Sequence, residues 1–334
     1  MFDFGSFIYY LLYLSIEYIK QKIFLKKYLF GFLKINQTHQ DPSYTIIDEK
    51  RIKNVYGFSV ILLFAGPFQR LRGLNFSLQQ RKCFTIVGAL SGLIDDYFDK
   101  FKLHPDQIIR IADHNSNYQV ENEHQKVSRL LMHELEKVSD LNHDYSLALT
   151  RLMNSQKESL KQFDKNISKS DIEQITIQKA GNSALLYSKL LVPLPNQDEV
   201  EMLYHLSVLV QMANDVFDIY KDKQDGIFTL ANTSSSVGEI SKNLEKYISI
   251  WKNALEELPF SRRSKLKFYR QIDLLVISRT QVCLFQLNNL ETKYRHFDIR
   301  LFSRQQLVCD MEKPKNILLW FKFFIAESKR INEN

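Results

Sequence analysis

Ten glycines and seven prolines in 334 residues constrain this chain more than any other feature. Average usage would supply roughly 23 and 17. Tight turns are built largely from those two residue types. Sandwiches, propellers and Gly-rich nucleotide-binding sheets are therefore disfavoured, and long helices with few connections are expected. Hydrophobic residues make up 45% of the chain, enough to fill a sizeable core, and this excludes disorder. From about residue 52 onward, apolar residues recur at helical spacing in 78–101, 121–138, 141–163, 172–191, 198–223, 236–257 and 262–292. Short breaks separate these stretches at His104-Pro105-Asp106, Leu194-Pro195-Asn196, Leu258-Pro259 and Lys313-Pro314. A last helix is predicted over 317–330. No alternating runs with hairpin turns occur. The expected fold is all-α, a single large helical domain over 52–334. A polar connector (35–51) and an apolar, aromatic segment (1–34) precede it.

The N-terminal segment is broken by Glu17, Lys20, Lys22, Lys26 and Lys27. It is too short an apolar run to cross a bilayer. Two readings stand: a helix buried against the body of the protein, or a helix lying in a membrane interface with its lysines toward anionic headgroups. No secretory signal pattern is present, and a cytoplasmic protein, peripheral to the membrane under the second reading, is expected. Cys83, Cys283 and Cys309 are too few and too scattered for a disulfide framework or a zinc site. They read as small core residues. The charge, 45 basic against 38 acidic residues, is +7. This favours an anionic partner. No basic stripe interleaved with aromatics supports nucleic acid, so a phosphorylated small molecule or an anionic membrane is the expected partner.

The sharpest motif is Ser91-Gly92-Leu93-Ile94-Asp95-Asp96-Tyr97-Phe98-Asp99-Lys100, at the end of an otherwise apolar helix. Asp95 and Asp99 are four residues apart and Asp96 and Asp99 three, a spacing that allows one helical face to carry all three. Like charges that close raise one another's pKa unless a cation relieves them. Mg²⁺ suits the task, because it takes oxygen ligands through one or two carboxylates plus substrate phosphates. A second apolar helix closes in Gln211-Met212-Ala213-Asn214-Asp215-Val216-Phe217-Asp218-Ile219-Tyr220-Lys221-Asp222. Asn214, Asp218 and Asp222 form a stripe of one amide oxygen and two carboxylates. Either stripe alone also reads as a solvated helix end. Two of them about 120 residues apart in a basic chain point to Mg²⁺ gripping a diphosphate and easing its departure. The carbocation left behind needs a dry pocket and cation–π partners, for which Tyr97, Phe98, Phe217, Phe64 and Tyr187 are candidates. Each also reads as core.

On these residues the chain resembles the all-helical class I isoprenoid synthases, and within them the squalene/phytoene synthases. Gln80-Arg81-Lys82 through Asp99 is similar to that family's first aspartate-rich helix, and Gln211 through Leu230 to its second. Ala180-Gly181-Asn182-Ser183 falls where the family has a small-residue segment that lets the helix backbone approach substrate. The resemblance runs over roughly residues 55–290. It implies a helical bundle with a central apolar cavity, Mg²⁺ as cofactor and a prenyl diphosphate as substrate. Metal and catalysis would fall to Asp95, Asp96, Asp99, Asp218 and Asp222, with Asn214 as a further ligand. Lys179, Gly181, Lys221 and Arg295 would lie toward the substrate, together with Tyr97, Phe98 and Phe217. Phe217 stands where the family usually has a basic residue, and no arginine follows at Asp225-Gly226-Ile227-Phe228. Asn214, Asp218 and Asp222 also fit the N-x-x-x-S-x-x-x-E spacing of terpene cyclases. Cyclisation of one prenyl diphosphate is thus favoured over head-to-head condensation of two. A non-catalytic prenyl-lipid or membrane binder is the third reading.

His104, His114, His124, His133 and His143 share no helical face and fit no zinc pattern, so they read as surface or capping residues. Arg70 and Arg72 read as a solvated loop or, alternatively, as diphosphate contacts.

Overall fold

The computed structural model describes residues 2–33, 41–112 and 117–333. Among these, every regular element is a helix. The helices begin where short polar side chains satisfy free backbone N–H groups. Ser77 opens Leu78–Asp99, Asn122 opens Glu123–Val138, and Asn142 opens His143–Ser159. Asn196 and Glu199 form a reciprocal capping box at the start of Gln197–Phe217. Ser236 opens Val237–Glu257 and Ser261 opens Arg262–Ile272, while Pro314 begins the last helix, Pro314–Glu333. The apolar periodicity therefore locates the long helices closely. It does not foresee the helix Pro105–Ala112 or the π-helical turns at Ile52–Tyr56, Val60–Ala65 and Asp273–Ile277.

The chain divides into two compact units. Of the 35–51 connector, residues 35–40 lie outside the described residues, and Ile46–Arg51 is helical behind a Thr45–Asp48 capping box. The first unit comprises Met1–Leu12, Lys161–Ala184 and Asn196–Asn334. In it, Gln197–Phe217 packs along Val237–Glu257, and Ser278–Tyr294 along Pro314–Glu333. Trp251, fully buried, stacks on Tyr269 at 5.4 Å, and Phe7 meets the rings of Trp320, Phe321 and Phe324 edge-on at 5.0–5.5 Å.

The second unit comprises Tyr13–Leu160 and Leu185–Pro195. Its centre is Leu78–Asp99, buried along most of its length and packed on Glu123–Val138 and on the segment 52–65. Gly88 makes the closest of these approaches, since a Cβ there would sit 2.3 Å from the Tyr56 carbonyl oxygen. Gln69 and Gln80 both donate to the Val192 carbonyl, and Arg72 donates to those of Pro193 and Leu194, which tie the 185–195 stretch down.

The three cysteines are free and buried, as expected of small core residues. The helix Phe2–Phe24 buries Phe7, Leu14 and Gln21 on one side and leaves Ile8, Leu12, Ile16, Ile19 and Ile23 exposed on the other. No helix among the described residues is long and apolar enough to cross a membrane.

Candidate functional site

The first acidic segment closes the Leu78–Asp99 helix in the second unit, and its three carboxylates meet different surroundings. Asp95 is half-buried and accepts a 2.8 Å hydrogen bond from Gln156 Nε2. Its charge is also felt by the Tyr56 and Tyr187 phenols, whose pKa values rise first through burial and then through Asp95. Phe64 lies edge-on to Tyr187 at 5.6 Å. Asp99 is exposed.

Asp96 is 3% exposed and clamped by cations. Arg51 Nη1 lies 3.0 Å from both of its oxygens, and Lys100 Nζ 2.8 Å from one. Burial opposes ionisation of Asp96, but His124, Lys100 and Arg51 together hold its pKa down at about 2. The His124 Nε2 contact is 3.8 Å, beyond hydrogen-bond reach, so the two full cations carry most of the effect. The same pair also reaches Asp48, at 3.4 Å from Arg51 and 3.1 Å from Lys100. The three aspartates therefore do not form one ligand group, because Asp96 faces a side-chain cation network of its own.

The second acidic segment lies in the first unit. Gln197–Phe217 ends at Asp218, which leaves ideal helical geometry (φ −90°, ψ 8°) and begins the shorter helix Ile219–Asp225. The Asp222 N–H still donates to the Asp218 carbonyl, so the i, i+4, i+8 stripe survives the joint. Gly226, in the left-handed region at φ 71°, stops it. Along the stripe Asn214 is exposed, Asp218 half-buried and Asp222 buried, and Asn214 Nδ2 donates to Asp218 Oδ2 at 3.2 Å. Asp215, which the stripe leaves out, is buried as well. Gln211 donates to Asp215 Oδ1 at 2.7 Å, and Oδ2 has no hydrogen-bond partner. Burial, with Asp218 adding to it against Gln211 and Lys179, raises the Asp215 pKa to about 7. Burial followed by the charges of Asp215 and Asp218 raises that of Asp222 to about 8. This is a cluster of mutually repelling carboxylates without a clamp like that of Asp96. Among the described residues, no group of three or more His, Cys, Asp or Glu side chains is gathered so that it could hold a metal ion.

The remaining expected residues scatter. Tyr97 is core, with its hydroxyl donating to Ser128 Oγ at 2.9 Å, and Phe98 is buried too. Beside Gly181 the ring of Tyr204 takes the space, 2.0 Å from where a Cβ would be. The slimness of that segment thus serves packing against Tyr204. Lys179 faces Asp215 electrostatically. Lys221 makes a 3.7 Å exposed pair with Asp225. Arg295 is exposed at the end of Ser278–Tyr294, with φ 55°. Arg70 stacks its guanidinium over Tyr13 at 4.9 Å. His114 lies outside the described residues. His124 departs from the surface reading, since it is buried against Tyr97 and Phe101 at 4.6 and 4.9 Å.

No protein-family model, no curated protein and no solved structure matches this chain.

Two residues that sequence reasoning passed over belong with the second segment. Asp215 is three residues before Asp218 and seven before Asp222, a helical spacing that was there to be read. Arg279 is the other. Its guanidinium lies 5.3 Å from the Phe217 ring centre and 6.0 Å from that of Trp320. Burial lowers its pKa, and among the described residues no carboxylate pairs with it. A single arginine between the apolar stretches Leu274–Ile277 and Val282–Leu284 was its only signal.

Proposed function

We propose that this chain is a Mg²⁺-dependent class I isoprenoid synthase, with the corresponding helical bundle fold, that ionises a prenyl diphosphate and acts as a terpene synthase on one substrate. The carrying observation is the repelling set Asp215, Asp218 and Asp222. Burying unpaired carboxylates is costly, and a dication bound there removes the cost. The donors suit Mg²⁺ shared with phosphate oxygens rather than an all-protein cage. Asn214, Asp218 and Asp222 supply an amide oxygen and two carboxylates, about as many as Mg²⁺ takes from a protein in such sites. Bound there, the metal supplies charge neutralisation as diphosphate leaves.

The chain's own side chains supply the rest. Arg279, cationic and without a carboxylate partner among the described residues, offers a fixed positive charge to an anionic group near Phe217. Lys179 offsets Asp215. In the second unit, Asp95 accepts from Gln156, Asp99 is exposed, and the Tyr56 and Tyr187 phenols feel the Asp95 charge. Asp96 serves to hold Arg51 and Lys100.

The Asp96 clamp favours a second reading, a non-catalytic prenyl-lipid binder, because one carboxylate of the first motif is already neutralised by protein cations. Incubation with farnesyl and geranylgeranyl diphosphate plus Mg²⁺, with products analysed by mass, decides between them. The expected result is released diphosphate and a product of unchanged carbon number. A doubled carbon number means head-to-head condensation, and no release from either substrate leaves the binder. Asp218→Asn is expected to lower turnover by about two orders of magnitude, the scale of losing a group that stabilises developing charge.

A further inference from the structure

The N-terminal helix Phe2–Phe24 buries Phe7, Leu14 and Gln21 along one side. Gln21, fully buried, donates to the Gly57 carbonyl and to Thr85 Oγ, both at 2.9 Å. Arg81 donates to Gln21 Oε1 at 2.9 Å and to Glu17 Oε2 at 3.2 Å, and Tyr18 stacks on Phe58 at 4.5 Å. The helix is therefore fixed in rotation, and the side it turns outward is set by these bonds.

That outward side is apolar. Ile8, Leu12, Ile16, Ile19 and Ile23 are 36%, 59%, 51%, 56% and 51% exposed. At 3.6 residues per turn they fall within an arc of about 80°. Lys22 lies about 40° beyond one edge of the arc and Lys20 about 40° beyond the other. Lys26 and Lys27 follow in the π-turn Leu25–Leu29, both exposed and neither in an ion pair among the described residues. Lys20, Lys27 and Arg81 also line an open cleft of about 410 Å³ with Ile23, Phe24 and Tyr28, which puts cationic groups beside the apolar stripe. Over 13–33 the only acid is Glu17, against four lysines.

We propose that this face seats the protein on an anionic lipid surface, with the isoleucines and Leu12 entering the headgroup–acyl boundary and the lysines meeting the lipid phosphates. An apolar arc edged by lysines on both sides is the charge pattern that such a surface complements. A second copy of the same face would set lysines against lysines across a two-fold axis. The helix does not meet the length and apolarity needed to cross a bilayer, so it lies along the surface. This docking is independent of the carboxylate chemistry above.

The test is sedimentation of the full chain with phosphatidylglycerol–phosphatidylcholine vesicles and with phosphatidylcholine vesicles alone. The chain is expected to pellet with the anionic vesicles, and raising the salt concentration is expected to release it. Ile19→Glu with Ile23→Glu, at two exposed positions, is expected to reduce binding at least about tenfold, while circular dichroism and the unfolding midpoint stay unchanged. Lys22→Gln, Lys26→Gln and Lys27→Gln together are expected to reduce it by a similar factor without touching the apolar arc. The proposal is overturned by absence from the anionic pellet, or by equal binding to both vesicle types that the lysine variant does not change. It is equally overturned if light scattering finds a dimer that Ile19→Glu with Ile23→Glu turns into a monomer, because the face would then be a self-association surface.

Discussion

Asp96 and Asp222 are buried aspartates with opposite electrostatics, and they make opposite predictions. Asp96 is held at about 2, below its ordinary 3.8, by the clamp of Arg51 and Lys100 acting against burial. Its ionised form adds stability that is present in full above about pH 4 and is lost as pH falls toward about 2. Asp96→Asn is therefore expected to destabilise the protein by about 2 kcal/mol at neutral pH. That is less than for a fully buried pair, because Lys100 and Arg51 still reach solvent. Urea unfolding at pH 7 and at pH 2 checks this, since the gap between variant and parent should close in acid. A loss of activity in that variant would accordingly not identify a metal ligand. Asp222 runs the other way. Burial and its acidic neighbours raise it to about 8, so the native state holds an extra proton between about pH 4 and pH 8 and loses stability as pH rises through that window. Asp222→Asn is expected to be more stable than the parent at pH 8, by on the order of 2 kcal/mol, and no different near pH 4. Thermal unfolding at the two pH values measures it. The aspartates themselves were legible as motifs. Their partners were only partly so. Lys100 is one helical turn from Asp96, but Arg51 is 45 residues away, and nothing local marks it as the clamp.

Among the elements, spacing located the long helices because their buried faces repeat at helical period and their first turns carry Ser or Asn caps. It could not locate the π-helical turns. Ile52–Tyr56 (IKNVY) and Val60–Ala65 (VILLFA) share no residue pattern that would mark a π-turn, and the extra residue per turn is set by what packs against them. One such partner is Leu78–Asp99, where Gly88 lies against the Tyr56 carbonyl and Gly92 under the Tyr56 ring. The collision at Gly88 is with backbone, which cannot rotate away as a side chain can. Gly88→Ala is therefore expected to cost about 3 kcal/mol, read as a drop in urea midpoint. Gly238→Ala is the control, with only Ser236 Oγ at 3.7 Å from the added methyl, and it is expected to leave the midpoint unchanged or slightly raised. Gly181 repeats the lesson at the second segment. A small residue near an acidic motif read as an approach for substrate, whereas the ring of Tyr204 fills that space.

For the whole molecule, the low glycine and proline content gave the all-helical class, but no local feature announced that the first unit would be assembled from three separate stretches of chain. That division depends on which apolar faces choose each other, which periodicity leaves open. The functional proposal can nonetheless be tested on the intact chain through its stability. A ligand that binds only the folded state stabilises it by RT ln(1 + [L]/Kd), about 2.7 kcal/mol at a hundred times Kd. Mg²⁺ with inorganic pyrophosphate is expected to raise the unfolding midpoint by roughly 4 °C under those conditions, and neither alone should do so to the same extent. Carboxylates must be deprotonated to hold a metal. With Asp215 at about 7 and Asp222 at about 8, the gain should be larger at pH 8 than at pH 6. Asp218→Asn should abolish it at both. An equal rise in the Asp218→Asn protein would place the pyrophosphate elsewhere on this basic chain. A gain independent of pH would mean that the buried carboxylates take no part in holding the metal.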